Sequence, residues 1–433
     1  MVHNKMIACD FCKTRIRLRI QVGYFDIPFR LKCPECSTKI RGTIRIGSEN
    51  LSLECEVEYA TEVDIDISNV DSEYYIAELS AEFLTRKLHK SPHGSLADIF
   101  ELSPFLNMTT LYGETAIKDI QTLAGFTEQG GSTLQRIRPL FELFWNGYGH
   151  LLFPRLKDEI SQYPLIPLKR VTNDFDAAVA LHQLFITTSG VADVLAPGEL
   201  VRFTEIGQSL LTDPAIVRAI SSFLDAESVD LDDLEKKAIT LIAKFFDVYE
   251  QLIPVVGLVR TDRLDRVDRD VYGIMTTSYD DLSSFYAESY EWILDCVPYL
   301  AALNNVVMRG SYNLCANGNT YNDVLKTKKF DRAKFLTPGE PLALPLADLR
   351  NRVRNSIQHF DHEIDDLSQV ISFKDRYSGK LRTEHLYLVD FAALCVSNFT
   401  MVIYLLEVIY NLRKARFVKL GVIPSLLTPL PGE

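Results

Sequence analysis

Two CxxC pairs near the amino terminus constrain the fold of this chain more than any other feature. Cys9 and Cys12 form the first pair, Cys33 and Cys36 form the second, and 20 residues separate the pairs. This spacing is typical of modules in which four thiolates surround one tetrahedral zinc ion. A redox CxxC would need no second copy, and disulfides do not persist in a reducing compartment. The pattern therefore predicts a Zn²⁺ site whose four protein ligands close the coordination shell, so the ion is structural.

Alternating polar and apolar residues follow each cysteine pair. They occupy residues 15–22 and 39–46, where a period of two predicts half-exposed strands. A further acidic, strand-like stretch covers residues 51–67. We expect antiparallel strands to join the two cysteine turns, as in a zinc ribbon. The ribbon and its following strand are assigned to residues 1–67.

Charge is distributed unevenly along the 433 residues. The formal net charge is −12, which excludes a protein coated in basic surface for nonspecific nucleic-acid binding. Residues 1–50 nevertheless contain ten Lys and Arg against four acids, so they carry +6 and the remainder carries −18. The basic strand and two nearby aromatic residues form either a phosphate-binding surface or a solvated strand face: Arg15, Arg17, Arg19, Phe25 and Phe29. The ribbon is thus a candidate contact for nucleic acid or for a protein partner.

The rest of the chain has the apolar spacing of helices and predicts a mainly α fold. This spacing begins after Glu73, as in Tyr75 and Leu79, and strand signals largely vanish until residue 370. A chain of this length exceeds a single hydrophobic core, so we expect a helical domain of unknown role at 68–229 and a second helical domain at 230–433. Breakers divide the first of these into helical pieces at residues 91–94, 129–132 and 163–167.

The carboxyl-terminal region predicts long helices and one small β-hairpin. Apolar faces with helical period lie at 231–252 and 279–307, and a long apolar helix lies at 388–412. Two strands at 370–374 and 381–388 flank a turn rich in breakers. These elements together predict a mainly helical carboxyl-terminal region with one hairpin.

Neither end of the chain predicts export or membrane insertion. The first residues contain no apolar run of signal-peptide length, so we expect a cytoplasmic protein. The apolar segment 391–406 is bounded by Asp390 and Glu407 and is too short for a membrane span, so we expect a buried helix. The four remaining cysteines are expected to be reduced, buried thiols: Cys55, Cys296, Cys315 and Cys395.

A second constellation lies between residues 346 and 364. Apolar residues at helical spacing predict the buried stripe of one helix: Leu349, Val353, Ile357, Phe360 and Ile364. On the opposite face, two amides and two imidazoles follow one line: Asn351, Asn355, His359 and His362. Arg354 precedes Asn355, and its long stem lets the guanidinium reach this line.

The run Arg354-Asn355-Ser356-Ile357-Gln358-His359 resembles the signature of the HEPN superfamily. In that family an arginine, a polar residue after it and a histidine four to six residues later make an RNA-cleaving site. The resemblance covers roughly residues 230–420. It implies a HEPN-like helical bundle, a metal-independent endoribonuclease acting in phage defence or growth arrest, and a homodimer or even-numbered oligomer in which two motif helices form a composite site.

The residues of the motif suit this chemistry. RNA cleavage by the ribose 2′-hydroxyl needs proton transfer and cationic stabilisation of the phosphorane. By the resemblance, His359 transfers protons, Arg354 holds the phosphate through its planar guanidinium and Asn355 supplies an orienting hydrogen bond. His362 falls outside the family pattern and is as well explained as an exposed histidine.

Three other interpretations of these patterns stay open. The polar line is also what the solvated face of an amphipathic helix looks like. The chain could be a noncatalytic HEPN-like interaction protein, or a zinc-ribbon adaptor that binds nucleic acid or proteins. ATP and NAD are not implied, because no Walker-type or dinucleotide glycine pattern occurs in the sequence.

Overall fold

The computed structural model describes residues 2–47, 53–64, 74–91, 116–343, 349–377 and 380–427, with Leu106, Thr109 and 111–113. The chain divides into two compact units, each assembled from three segments. Unit 1 comprises Met1–Ala124, Val248–Ala287 and Arg350–Val396. Unit 2 comprises Gly125–Asp247, Glu288–Leu349 and Ser397–Glu433. The domain boundaries expected at 67/68 and 229/230 stay a prediction.

Helices dominate the middle and the carboxyl-terminal part, as expected for the mainly α class. The α-helices are α1 (Ala116–Trp145), α2 (Gly149–Ser161), α3 (Asp174–Thr188), α4 (Val191–Val194), α5 (Glu199–Ser209), α6 (Pro214–Ala226), α7 (Leu231–Arg260), α8 (Tyr279–Arg309), α9 (Tyr321–Lys326), α10 (Asn351–Gln358) and α11 (Leu388–Lys419). Short 3-10 helices lie at Leu264–Arg266, Lys329–Phe335 and Ser425–Leu427. The predicted long helices are thus confirmed as α7, α8 and α11, each longer than expected.

Strands occupy the amino-terminal part and the predicted hairpin. They are β1 (Val2–Cys9), β2 (Arg15–Gln21), β3 (Ile27–Lys32), β4 (Lys39–Ile46), β5 (Leu53–Glu58), β6 (Ala60–Val63), β7 (Tyr75–Leu79), β8 (Thr85–Arg86), β9 (His89–Lys90), β10 (Tyr272–Gly273), β11 (His362–Asp365), β12 (Val370–Tyr377) and β13 (Lys380–Tyr387). The hairpin β12–β13 is confirmed, and the residues 378–379 of its turn lie outside the described residues. β11 adds a third strand to it.

The predicted strands β2 and β4 exist, but they do not pair with each other. β2 lies in a five-stranded sheet of order β6-β1-β2-β7-β9, and β4 lies in the sheet β3-β4-β5. Each CxxC turn instead closes its own antiparallel hairpin, β1–β2 or β3–β4. Each turn is entered by a strand that leads into its first cysteine, β1 or β3, and these two strands were not predicted.

The arginine face expected on β2 is not exposed. β1 flanks this strand on one side and β7 on the other, and only 8% of Arg17 and 3% of Arg19 remains accessible. Arg19 Nη1 donates to Glu78 Oε1 at 2.8 Å, so the buried charge has an acidic partner. Of the three arginines, Arg15 alone is exposed. Phe29 is buried as well.

The helix expected at Tyr75 and Leu79 is wrong, although the region from Ala116 onward is mainly helical. Residues 75–79 form β7, which runs parallel to β2 and is buried at four of its five positions. A strand buried on both faces carries a continuous apolar run and loses the alternation that identifies an exposed strand. Local periodicity therefore misassigned this segment.

Two of the three expected helix breaks lie entirely within the described residues. The break at 163–167 is confirmed, because it lies between α2 and α3. The break at 129–132 is wrong, since α1 continues through it. A Cβ on Gly130 would lie 2.1 Å from Cε1 of Phe246, so this glycine permits close packing against α7. Residues 92–94 lie outside the described residues.

The apolar segment 391–406 belongs to α11. This helix is long and apolar enough to cross a membrane by length and composition, and 89% of its most apolar window is buried within the protein. That burial agrees with the expected buried helix. Cys296, Cys315 and Cys395 are buried free thiols as predicted, and Cys55 is half-buried.

Candidate metal centre and motif helix

The four predicted cysteine ligands lie together in unit 1. Their Sγ atoms are all within 4.8 Å of one another. The Sγ atoms of Cys9 and Cys36 are 3.6 Å apart, and those of Cys12 and Cys33 are 3.4 Å apart. A tetrahedral zinc with Zn–S bonds of about 2.3 Å holds its sulfurs about 3.8 Å apart. The donor set and its spacing therefore fit one metal ion, consistent with a zinc ribbon.

The two cysteine turns have the same backbone geometry. The residue after the second cysteine of each pair, Lys13 or Ser37, has a φ of 62°. Its N–H donates at 2.9 Å to the carbonyl of the first cysteine, Cys9 or Cys33. This left-handed residue bends the chain so that both cysteines of a pair face the same point. The two hairpins thus present matching halves of the cluster.

A threonine two residues after each second cysteine lies against its sulfur. Thr14 Oγ1 is 3.0 Å from Cys12 Sγ, and Thr38 Oγ1 is 3.2 Å from Cys36 Sγ. A hydroxyl that donates to sulfur stabilises the thiolate, which lowers the pKa of Cys36 to about 6 and also lowers the pKa of Cys12. Sequence analysis missed these threonines, although both turns read C-x-x-C-x-T.

In the second turn, burial changes the pKa of Cys33 in the opposite direction to the threonine bonds. Desolvation raises the pKa of Cys33 to about 12, because burial penalises its charged form. A bound cation would offset that cost, since metal binding requires the thiolate and releases its proton. The ionisation of Cys33 would therefore be favoured by a bound ion.

Each cysteine turn is fastened to a neighbouring strand by one of its middle residues. The Asp10 N–H donates to the Tyr59 carbonyl at 3.1 Å, and Thr61 Oγ1 donates to Asp10 Oδ1 at 2.8 Å. Tyr75 Oη donates to Glu35 Oε1 at 2.6 Å. These bonds connect the first turn to β6 and the second turn to β7.

The motif helix is shorter than predicted. α10 ends at Gln358, His359 caps it, and Phe360 has a φ of 56° with 85% of its surface exposed. His362 begins β11 and pairs with Phe373. A single helix over residues 349–364 is therefore wrong, and neither Phe360 nor His362 lies on the predicted faces.

Ser356 explains where the helix ends. Its carbonyl accepts the Asp361 N–H at 2.9 Å, and its hydroxyl donates to the Asp361 carbonyl at 2.5 Å. The same hydroxyl accepts the Lys374 N–H at 3.0 Å. These three bonds turn the chain out of α10 and attach it to β12.

Of the three candidate catalytic residues, Arg354 and Asn355 lie in the middle of α10 and His359 directly follows its last residue. Arg354 Nη1 donates to Asn355 Oδ1 at 2.9 Å, and both residues are half-buried. His359 is exposed, and its N–H donates to the Asn355 carbonyl at 3.0 Å. The structure therefore brings Arg354 and Asn355 into side-chain contact and places His359 one turn beyond Asn355. In the described part of the chain, no side-chain hydrogen bond joins His359 to either residue.

Two further arginines hold α10 in place. Arg350 Nη1 and Arg352 Nη1 donate to the two carboxylate oxygens of Glu384 at 2.9 and 3.4 Å. Glu384 lies on β13, so the start of α10 is fixed to the hairpin. Both arginines are thus positioning residues. His362, by contrast, packs its ring 4.9 Å from that of Tyr279 and is not grouped with the other three.

Comparison with known proteins finds no matching family model, no similar curated protein and no similar solved structure. The HEPN resemblance consequently rests on the residues of the motif.

Proposed function

We propose that this chain is a metal-independent endoribonuclease of the HEPN type whose amino-terminal ribbon is stabilised by one zinc ion. The observation that supports the proposal is the arrangement at α10, where Arg354 and Asn355 are joined by a hydrogen bond and an exposed His359 follows one turn later. These groups lie at the surface, where an RNA chain has access to them.

The residue types match the steps of the reaction. The substrate's own 2′-hydroxyl attacks the adjacent phosphorus, and the 5′-oxygen leaves. His359 transfers the protons, and the guanidinium of Arg354 stabilises the charge on the phosphorane. The bond to Asn355 Oδ1 fixes the direction of that guanidinium.

The expected products distinguish this reaction from metal-assisted hydrolysis. Attack by the neighbouring ribose oxygen gives a 2′,3′-cyclic phosphate and a 5′-hydroxyl. Incubation of the purified protein with a defined RNA in EDTA should give these ends, identified by mass spectrometry, at the rate seen without chelator. If the products carry 5′-phosphates, or if cleavage requires added magnesium, a metal-bound water is the nucleophile and the role given to Arg354 and His359 is wrong.

A second copy of the chain would complete the site. One histidine does not serve conveniently as both base and acid, and by resemblance two motif helices meet across a dimer. The side chain of Phe360, next to His359, is 85% exposed, which is unusual for a large apolar residue and suits burial against a partner copy.

The assembly state tests this arrangement. We expect sedimentation or light scattering to report a dimer or another even-numbered assembly at micromolar concentration. Phe360→Ser should shift the protein towards the monomer and lower cleavage in parallel. A strict monomer with full ribonuclease activity would contradict the composite site.

The biological setting follows from the proposed chemistry and the resemblance alone. An RNA-cleaving enzyme of this type would act in the cytoplasm, in phage defence or growth arrest, with RNA as its substrate. The ribbon would contact nucleic acid or a protein partner.

A further inference from the structure

The outer face of the β3–β4 hairpin carries two like-charged pairs in register. Arg30 lies directly opposite Arg41, and Lys32 lies directly opposite Lys39. Like charges opposite one another in a sheet destabilise the pairing. Acidic partners in the protein or an anionic ligand would relieve this repulsion.

Within the described residues, acids pair with the two lysines and none pairs with the two arginines. Lys32 Nζ lies 4.0 Å from Asp365, the last residue of β11, and Lys39 Nζ lies 3.6 Å from Asp366, the next residue. Arg30 and Arg41 are exposed, and within the described residues neither guanidinium forms an ion pair. Their exposed donors are available to a ligand.

A cavity opens beside this arginine pair. It has a volume of about 110 Å³ and is lined by Arg30, Arg41, Tyr279, Asp280 and Asp366 among others. A single water needs about 10–15 Å³, so the cavity is large enough for more than isolated waters. Of the two acids in the lining, Asp366 is already compensated by its contact with Lys39.

One polar group in the cavity lining also lacks a partner. The side chain of Tyr279 is 6% exposed, and its buried hydroxyl makes no hydrogen bond within the described part of the chain. A buried hydroxyl without a partner costs free energy, so such groups usually mark a position that water or a ligand occupies. The hydroxyl and the two guanidinium groups together offer donors without a matching acceptor.

We infer that Arg30, Arg41 and Tyr279 form a binding site for a backbone phosphate of single-stranded RNA. This site rests on the proposed function in one respect, namely that the anion is RNA. Ile364 lines the cavity and belongs to β11. It follows His359 by only five residues, so the Cα atoms of these two residues are at most about 18 Å apart. A short RNA segment bound at α10 would therefore extend to the arginine pair.

Binding of RNA is measured without cleavage to separate this site from the catalytic proposal. The probe is a fluorescein-labelled 2′-O-methyl oligonucleotide, which lacks the attacking hydroxyl. We expect Arg30→Ala/Arg41→Ala to weaken binding at least tenfold at 0.1 M salt. The slope of log K against log salt should become shallower by about 1.4, the value for two lost contacts to a single strand. The thermal stability of this double variant should not fall, because Arg30 and Arg41 repel each other.

A charge-matched double variant provides the control. Arg45→Ala/Arg138→Ala removes two exposed arginines that already pair with Glu56 and Glu142. We expect this variant to bind like the wild type. Equal affinity and equal salt slope in the two double variants would overturn the site.

Tyr279→Phe tests the cavity. It removes only a hydroxyl that has no partner in the free protein, so thermal stability should stay the same or rise. RNA affinity should fall about threefold to tenfold, which a purely structural role would not produce. Unchanged affinity would overturn the assignment.

The two proposals fail in different ways. RNA that binds through the arginine pair but is never cleaved by the wild type would overturn the nuclease and support this site. Cleavage by the wild type with binding that does not depend on the arginine pair would overturn this site alone.

Discussion

Replacing His359 with alanine should abolish RNA cleavage while leaving the protein folded. General acid–base catalysis by a positioned side chain contributes about 10²–10⁴-fold in rate, so we expect a loss within that range or larger. His359 is exposed at the end of α10 and carries little packing energy, so the free energy of unfolding should change by no more than about 0.5 kcal/mol. A fluorogenic RNA substrate and thermal unfolding measure the two effects.

A matched control and a second substitution sharpen this test. His150→Ala removes an exposed histidine from α2 and should leave cleavage unchanged. Arg354→Lys should fail like His359→Ala, because lysine keeps the charge but loses the planar fork that grips two phosphate oxygens and the bond to Asn355. A His359→Ala protein that retains more than a tenth of the wild-type rate would remove this histidine from the mechanism.

Cys33→Ser should remove the metal and unfold the amino-terminal sheets. The apparent binding free energy of structural zinc is about 10–16 kcal/mol, which is as large as the stability of a whole domain. Cys33 is fully buried and belongs to the same core as Ile16, Leu18 and Met275, so its loss should also loosen the packing around β7. Hydrogen exchange should locate the unfolding in β1–β7 and leave unit 2 protected.

Metal analysis and a control cysteine complete the test of the metal site. The wild type should contain about one zinc per chain, since four thiolates close on a single ion. Cys55→Ser changes a half-buried cysteine of β5 outside the cluster and should retain the full zinc content. Less than half an equivalent of zinc in the freshly purified wild type would contradict the metal site.

The cluster of four cysteines could be predicted because its signal is local. Four identical ligands at fixed spacing leave few alternatives, and the structure places all four sulfurs in one cluster. The strands that enter the turns, β1 and β3, could not be assigned with the same ease, because no comparable motif precedes Cys9 or Cys33. β1 and β7, the two strands that flank β2, were missed because no motif marks either of them.

The exposure of the ribbon arginines was misjudged because their environment is set by distant residues. Alternation along β2 predicts one solvated face, but this strand lies between β1 and β7 in its sheet, and Glu78 pairs with Arg19 from 59 positions further along the chain. No pattern within β2 indicates this partner. Arg30 and Arg41, which form no ion pair within the described residues, lie on β3 and β4, where the sequence shows nothing different from β2.

The end of the motif helix was misjudged because apolar spacing continued past it. Phe360 and Ile364 keep the helical period, yet the bonds of Ser356 to Asp361 stop the helix at Gln358. Serine in a helix competes for backbone bonds in this way, and its outcome depends on the strand beside it. The motif residues Arg354 and Asn355 were nevertheless correctly placed on a helix.

The discontinuity of unit 1 has a consequence for synthesis of the protein on the ribosome. Its first segment ends at Ala124 and its last begins at Arg350, so roughly 225 residues separate them. At about 5–20 residues per second, translation of the intervening chain takes roughly 10–45 s. The Arg30 N–H donates to the Met275 carbonyl, so the cysteine turns are synthesised long before this later neighbour of their sheet. A metal ion bound early would keep this part of the nascent chain folded during that interval.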